Sequence, residues 1–175
     1  MEKSVKSIAL NYGLYLGVVL ILISVAVYVI DLNLMANIWL GIGMFVLIIG
    51  MGIFATSKAK SENEGYLSFK DAFSAYFITT VVGVAISSVF SFILYTIIDP
   101  DAAEEIKSIT IEATISMMEG FNAPAETIAK AVEEAEKVDQ FSIGNTLKSL
   151  AYGAVFQAVI GLIVAAVMKK TNPDA

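Results

Sequence analysis

The sequence predicts an all-α fold: an integral membrane four-helix bundle with an external acidic helical hairpin between spans three and four. Three observations predict it. Of 175 residues 57% are hydrophobic, and the mean hydropathy of +0.76 lies outside the range of soluble globular chains. Four long runs carry no charge in their centres, and each is long enough to cross about 30 Å of hydrocarbon at about 1.5 Å per residue. The acidity is confined to one place. Residues 99–142 hold 11 acidic side chains against 3 lysines, a net of −8, while the rest of the chain nets +2.

Composition also removes several kinds of chemistry. There is no Cys and no His, so disulfides, thiol nucleophiles, thiolate or imidazole metal ligation and imidazole acid-base catalysis are all excluded. All 11 basic residues are Lys, so the bidentate fork that grips phosphate is missing. With a net charge of −6 the chain is no nucleic-acid binder.

The first span is expected over residues 8–30, behind Lys3 and Lys6. Ser24-Val25-Ala26 faintly resembles a signal-peptide cleavage site, but an apolar run this long reads as an uncleaved span. Gly13 and Gly17 have GxxxG spacing. Asn11 falls near the inner end of this run, close to its start, within reach of headgroup water. Asp31-Leu32-Asn33 is so short a connection that the second span, 34–57, must return antiparallel beside the first. Ala36, Gly43, Gly50 and Ser57 recur every seven residues, a small-residue seam suited to a tight pairing of these two spans.

A polar loop from Lys58 to Asp71 follows, with Tyr66 and Phe69 suited to the membrane interface. The third span, 72–98, is the longest uncharged run. Asp71 is expected to cap its start, and Asp99-Pro100 ends it while opening a new helix. Thr79, Gly83, Ser87 and Ser91 fall every fourth residue along one side. Close helix packing is the expected use of that side, weighed against a polar pathway lined by Thr79, Thr80, Ser87, Ser88 and Ser91.

Within the acidic insertion, 99–142, residues 108–117 alternate polar and apolar as a strand would. No second alternating segment exists to pair with it, and Ile106, Ile109, Ala113 and Met117 also fit a helix face. A helix is therefore expected, with Asp101-x-x-Glu104 resembling a capping box. Asn122 and Pro124 open a second helix supported by Glu126–Lys130 and Glu133–Lys137 pairs. Glu133, Glu134, Glu136 and Asp139 read as a solvated surface rather than a divalent-cation or partner site, because no EF-hand spacing is present.

The fourth span is expected over 149–168, between Lys148 and Lys169-Lys170. Ser149, Gly153, Gln157, Gly161 and Ala165 make a small face with an amide at its middle. A buried amide needs a partner, and a hydroxyl of the third span is the natural one, with substrate contact as the competing use of Gln157. Lysines cluster before span one, between spans two and three, and after span four, which places both termini and residues 58–71 in the cytoplasm and the acidic insertion outside. Lys148 opposes that assignment mildly.

Gly65-Tyr66-Leu67-Ser68-Phe69 entering the third span, Phe92 to Pro100 leaving it, the Glu-rich insertion, and Gly161 to Lys170 together resemble the Bacteroidota membrane proteins grouped as domain of unknown function 4199. The resemblance covers nearly the whole chain. It implies a four-helix inner-membrane protein with an external helical insertion, and no activity or catalytic residue to carry over. The Ile/Thr alternation after Lys107 departs from the Glu/Gln-rich helix this family leads one to expect.

The residues thus point to a non-enzymatic membrane protein that packs with itself or a membrane partner in the lipid bilayer. Its helix-packing residues are Gly13, Gly17, Ala36, Gly43, Gly50, Thr79, Gly83, Ser87, Ser91, Gly153, Gln157 and Gly161, and neither cofactor nor metal is expected. A small oligomeric transporter or channel using the polar residues of spans three and four is the alternative. An enzyme would have to work with surface carboxylates and lysines that show no paired arrangement.

Overall fold

The computed structural model describes residues 4–171, so Lys3 lies outside the described part. Six α-helices follow in order: α1 (Val5–Ile30), α2 (Ile38–Glu62), α3 (Phe69–Ile93), α4 (Pro100–Gly120), α5 (Ala125–Lys137) and α6 (Ile143–Met168). A 3-10 turn, Leu32–Ala36, precedes α2, and a π turn, Leu94–Ile98, extends α3. Among the described residues there is no strand, only one isolated bridge between Leu67 and Lys170. Four helices, Val5–Ile30, Ile38–Glu62, Phe69–Ile98 and Ile143–Met168, are long and apolar enough to cross a membrane. Their outward surfaces are apolar as well, with Val29, Val46, Val155 and Val167 among many exposed aliphatic side chains. That exterior suits a hydrocarbon solvent.

Several boundaries differ from the sequence expectation, each for a local reason. The second span starts at Ile38 rather than at residue 34, because Asp31 Oδ1 accepts from Asn33 N at 2.9 Å and winds the connection into a 3-10 turn. Asn37 Oδ1 then caps α2 by accepting from Trp39 N at 2.9 Å. At its far end α2 continues through Lys58 and Lys60 to Glu62. The following turn uses positive φ at Glu64 (53°) and Gly65 (83°), a region open to glycine at little steric cost. Ser68, not Asp71, caps α3: its Oγ accepts from Asp71 N at 3.1 Å and donates to Asp71 Oδ2 at 2.6 Å. The last span begins at Ile143, six residues before the expected 149, because Ser142 caps it by accepting from Asn145 N.

Residues 108–117 are helical, inside α4. Thr110 and Thr114 return their hydroxyls to the carbonyls of Ile106 and Thr110, both at 2.8 Å, which fits β-branched side chains into a helix. Asp99, rather than the Asp101-x-x-Glu104 pair, caps this helix by accepting from Ala102 N at 3.1 Å, and Pro100 follows it inside the first turn.

α3 is the spine of the bundle, packing on α1, α2 and α6, whereas α2 and α6 scarcely meet. Small residues bring α1 and α3 together. A Cβ added at Gly13 would lie 2.9 Å from Val82 Cβ, one at Gly17 2.9 Å from Ile86 Cβ, and one at Gly83 2.6 Å from Leu16 Cγ. Each helix therefore holds the other's branched side chains in its glycine notches, as helices do when close packing must replace the hydrophobic effect. The expected seam of Ala36, Gly43, Gly50 and Ser57 between the first two spans is not formed. Nothing lies within 4 Å of a Cβ at Gly43 or Gly50, and Ala36 belongs to the 3-10 turn. α2 instead lays Gly52, Ala55, Thr56 and Ala59 inward, its buried residues. A seven-residue period marked a face of α2, but the more crowded neighbour, α3, took a different one.

These contacts give opposite expectations for two glycines. Gly83→Leu drives a side chain into Leu16 and should cost about 1–3 kcal/mol, the usual range for overpacking, while Gly43→Leu should be neutral or slightly stabilising. Thermal unfolding of the two variants in detergent measures the difference, and equal midpoints would contradict the assigned packing.

Candidate functional site

The polar chemistry inside the bundle gathers on one face of α3. Tyr76 is fully buried, and its ring passes between two glycines. A Cβ at Gly52 of α2 would sit 2.6 Å from the ring, and one at Gly161 of α6 3.0 Å from it. Its hydroxyl donates to Gln157 Oε1 at 2.7 Å. The expectation of a third-span hydroxyl for Gln157 is met by a tyrosine, which sequence reasoning did not name. The signal was present, since a phenol inside an apolar run must find a partner and Tyr76 lies seven residues before Gly83 on the same face.

The other hydroxyls of α3 divide into two sets. Thr79 faces α1, bonding to Ala75 O at 2.8 Å and Ala9 O at 3.1 Å, so it lines no pathway. Thr80 bonds to the carbonyls of Tyr76 and Phe77, and on α2 Thr56 bonds to Gly52 O at 2.8 Å. Ser87, Ser88 and Ser91 form no comparable bond among the described residues. They border a crevice where α2 and α6 stand apart, made of neighbouring cavities of about 240 Å³ and 190 Å³ that share Ile48 and Val84. Thr80 and Gln157 line its deep end, and Gln140, Thr146 and Ser149 its mouth. Gly153 also borders it with nothing within 4 Å of an added Cβ, so the expected packing role of Gly153 is not realised within the chain. A third cavity of about 210 Å³ between α1, α2 and α3 is lined by Ser24, Ser87 and Ser91.

Where α3 ends, a second cluster forms. Tyr28 Oη donates to Asp99 Oδ2 at 2.7 Å, while Tyr95 stacks against Phe141 with 4.6 Å between ring centroids. Tyr95, Leu94, Ala102 and Ile106 form a small core under the start of α4. The π turn is what aims Leu94 and Tyr95 inward, consistent with the way single wide turns re-aim side chains. Tyr28 above all, and then Ala102 N, holds the Asp99 carboxyl below the usual carboxylate range.

At the opposite end the helices are tied together. Lys60 Nζ donates to Met168 O at 2.8 Å, at the carboxyl end of α6 where a cation is favoured. Leu67 and Lys170 exchange backbone hydrogen bonds at 2.9 Å in both directions, and Lys170 lies over the Tyr66 ring at 5.1 Å. The bundle is thus closed at the Lys60 end and open along α2 and α6 towards the Asp99 end.

On α5 the pairs Glu126–Lys130 and Glu133–Lys137 form at 2.7 Å and 2.6 Å. Both are exposed and contribute little. Among the described residues no three Asp or Glu side chains come together as a metal site.

Two measurements test these assignments. Tyr76→Phe and Gln157→Leu should each cost about 1–3 kcal/mol by stranding a buried partner, and the double variant should cost less than their sum; strict additivity would rule out the bond. For Asp99 the carboxyl is depressed in the folded state, so its contribution is present above the unfolded carboxylate value and is lost as pH falls through the folded one. The midpoint of Tyr28→Phe should therefore trail the unmodified protein at neutral pH and converge with it in acid. A gap that persists or widens in acid contradicts the sign.

No curated protein and no solved structure matches this chain. A family model described as "Protein of unknown function (DUF4199)" matches residues 11–170. That match takes in three of the membrane-length helices whole, α1 from Asn11 onward, and the acidic stretch between the last two, and the chain belongs to the DUF4199 family.

Proposed function

We propose that this protein is a non-enzymatic, multi-pass component of a bacterial inner membrane that associates in the bilayer with a second copy or with a membrane partner through the outer face of α2. The observation that carries the reading is that three glycines of that helix, Gly41, Gly43 and Gly50, are unoccupied, the last two seven residues apart. Gly43 and Gly50 have nothing within 4 Å, whereas Gly13, Gly17, Gly52, Gly83 and Gly161 are all consumed inside the bundle. In lipid, small residues at regular spacing mark contact faces, and α2 is the least buried of the four spanning helices. The non-enzymatic part of the reading rests on the absence of His and Cys and on carboxylates dispersed along helix surfaces.

In this reading both termini and the Lys60 end face the cytoplasm, following the lysine distribution, and α4 and α5 form an external acidic hairpin. Because the chain lacks Cys, single introduced cysteines report cleanly. Glu134→Cys should react with a membrane-impermeant maleimide on intact spheroplasts and Lys58→Cys only after permeabilisation; the reverse pattern inverts the topology. Gly50→Cys should form a disulfide-linked or crosslinker-linked species in native membranes, and Gly17→Cys should not. Absence of any adduct along α2 would sink the association.

The three serine hydroxyls without bonds favour a second reading, a small transporter using the crevice. Solute or ion flux in liposomes, abolished by Gln157→Leu, would establish it, and intact oligomers that pass nothing would exclude it.

A further inference from the structure

We infer that the crevice between α2 and α6 is a binding site for one acyl chain of a bilayer phospholipid, and that the headgroup it selects at the mouth is zwitterionic and amine-bearing rather than anionic. This site is separate from the outer α2 face invoked above and does not depend on what that face contacts.

Depth argues first for the occupant. From Thr146 at the mouth to Gln157 at the closed end is 11 residues along α6, about 16 Å at 1.5 Å per residue. That is about half of a 30 Å hydrocarbon core, the reach of a chain in a single leaflet. The lining changes with depth in the same sense. Val81, Val84, Leu150 and Ala154 form the inner walls, with Thr80 and Gln157 at the end already bonded to α3, whereas Gln140, Thr146 and Ser149 gather at the mouth. An apolar chain beneath a hydrogen-bonding head matches that order, and an all-apolar helix from another copy does not.

The crevice is also kept from collapsing. Phe45 of α2 and Phe156 of α6 meet across the gap with 5.8 Å between ring centroids, while Lys60 fixes the two helices at the other end through Met168 O. Gly153 removes the side chain that would otherwise fill the inner cavity.

Charge decides the headgroup. The segment running into the mouth, residues 99–142, carries a net of −8, and Asp139 immediately precedes Gln140. Acidic helices at this end repel an anionic head and attract an ammonium. Lys148 is the opposing charge nearby in sequence, a single lysine against that excess.

The test uses the full chain reconstituted in nanodiscs holding equal amounts of zwitterionic amine-bearing and anionic phospholipid, one of the acyl chains being photoactivatable. Adducts on the unmodified protein should concentrate on residues 84–91 and 150–157 and should come from the zwitterionic lipid at least fivefold over the anionic one. Native mass spectrometry after mild delipidation should retain one lipid per chain. Gly153→Leu places a side chain where nothing lies within 4 Å and should lower retention tenfold or more with helicity and unfolding midpoint unchanged, while Gly120→Leu, at the end of α4 and equally free of neighbours, should retain lipid normally. Adducts spread evenly over all four spans, or equal labelling by the two lipids, would overturn the inference. So would crevice residues that crosslink to a second copy and take no lipid, or full retention by Gly153→Leu.

Discussion

The bond between Tyr76 and Gln157 is the constraint on which the rest of the bundle depends. Both groups are buried, so each must be satisfied by the other or remain unpaired at a cost of about 1–3 kcal/mol. Meeting that condition requires α3 and α6 to hold one register, and the Tyr76 ring then needs flat space on both sides. Gly52 and Gly161 provide it. One hydrogen bond thereby fixes the contact of α3 with two helices, and alongside it Val82, Gly83 and Ile86 of α3 meet Leu16 and the glycine notches of α1.

This arrangement accounts for the asymmetry of the molecule. With α3 in the middle and α1 on one side, α2 and α6 both reach α3 but need not reach each other. They are joined at the Lys60 end by a charge-assisted bond to a helix terminus and by the Leu67–Lys170 bridge. At the Asp99 end no such tie links them among the described residues; the contacts there run between the α1 end, the π turn and α4 instead. A bundle sewn at one end and braced elsewhere by a single aromatic pair has an opening by construction. The four spans are therefore better described as a three-helix contact around α3 plus a gap than as a closed square.

The long uncharged runs made the four spans legible because length and the absence of charge are properties of a segment by itself. Polar partners were partly legible: a buried amide such as Gln157 announces that a donor or acceptor is nearby, and the third span was the natural place for it. Which donor it would be was legible only as a candidate: Tyr76 lies inside an apolar run where a phenol needs a partner, but its place between Gly52 and Gly161 is a fact of three-dimensional register. The α2 seam failed for the same reason. Gly43 and Gly50 repeat every seven residues as faithfully as a packed face would, and periodicity does not say which neighbour is present. Helix starts were misplaced at Leu34 and Ser149 because Asn37 and Ser142, the side chains that set them, act through single hydrogen bonds that no hydropathy window registers.

The acidic stretch follows from the same logic of partners. α5 has no buried residue at all, and its exposed ion pairs add a few tenths of a kcal/mol each, so its own sequence supports a helix while nothing in the bundle holds it in place. α4 differs: Asp99 joins it to Tyr28, and Ala102 and Ile106 pack on Tyr95. The first helix of the stretch is thus part of the bundle's end, and the second is attached mainly through the first. Because Asp99 both caps α4 and binds α1, loss of its charge in acid loosens the cap and the tether together, and the rigid half of the acidic stretch is the half exposed to that change.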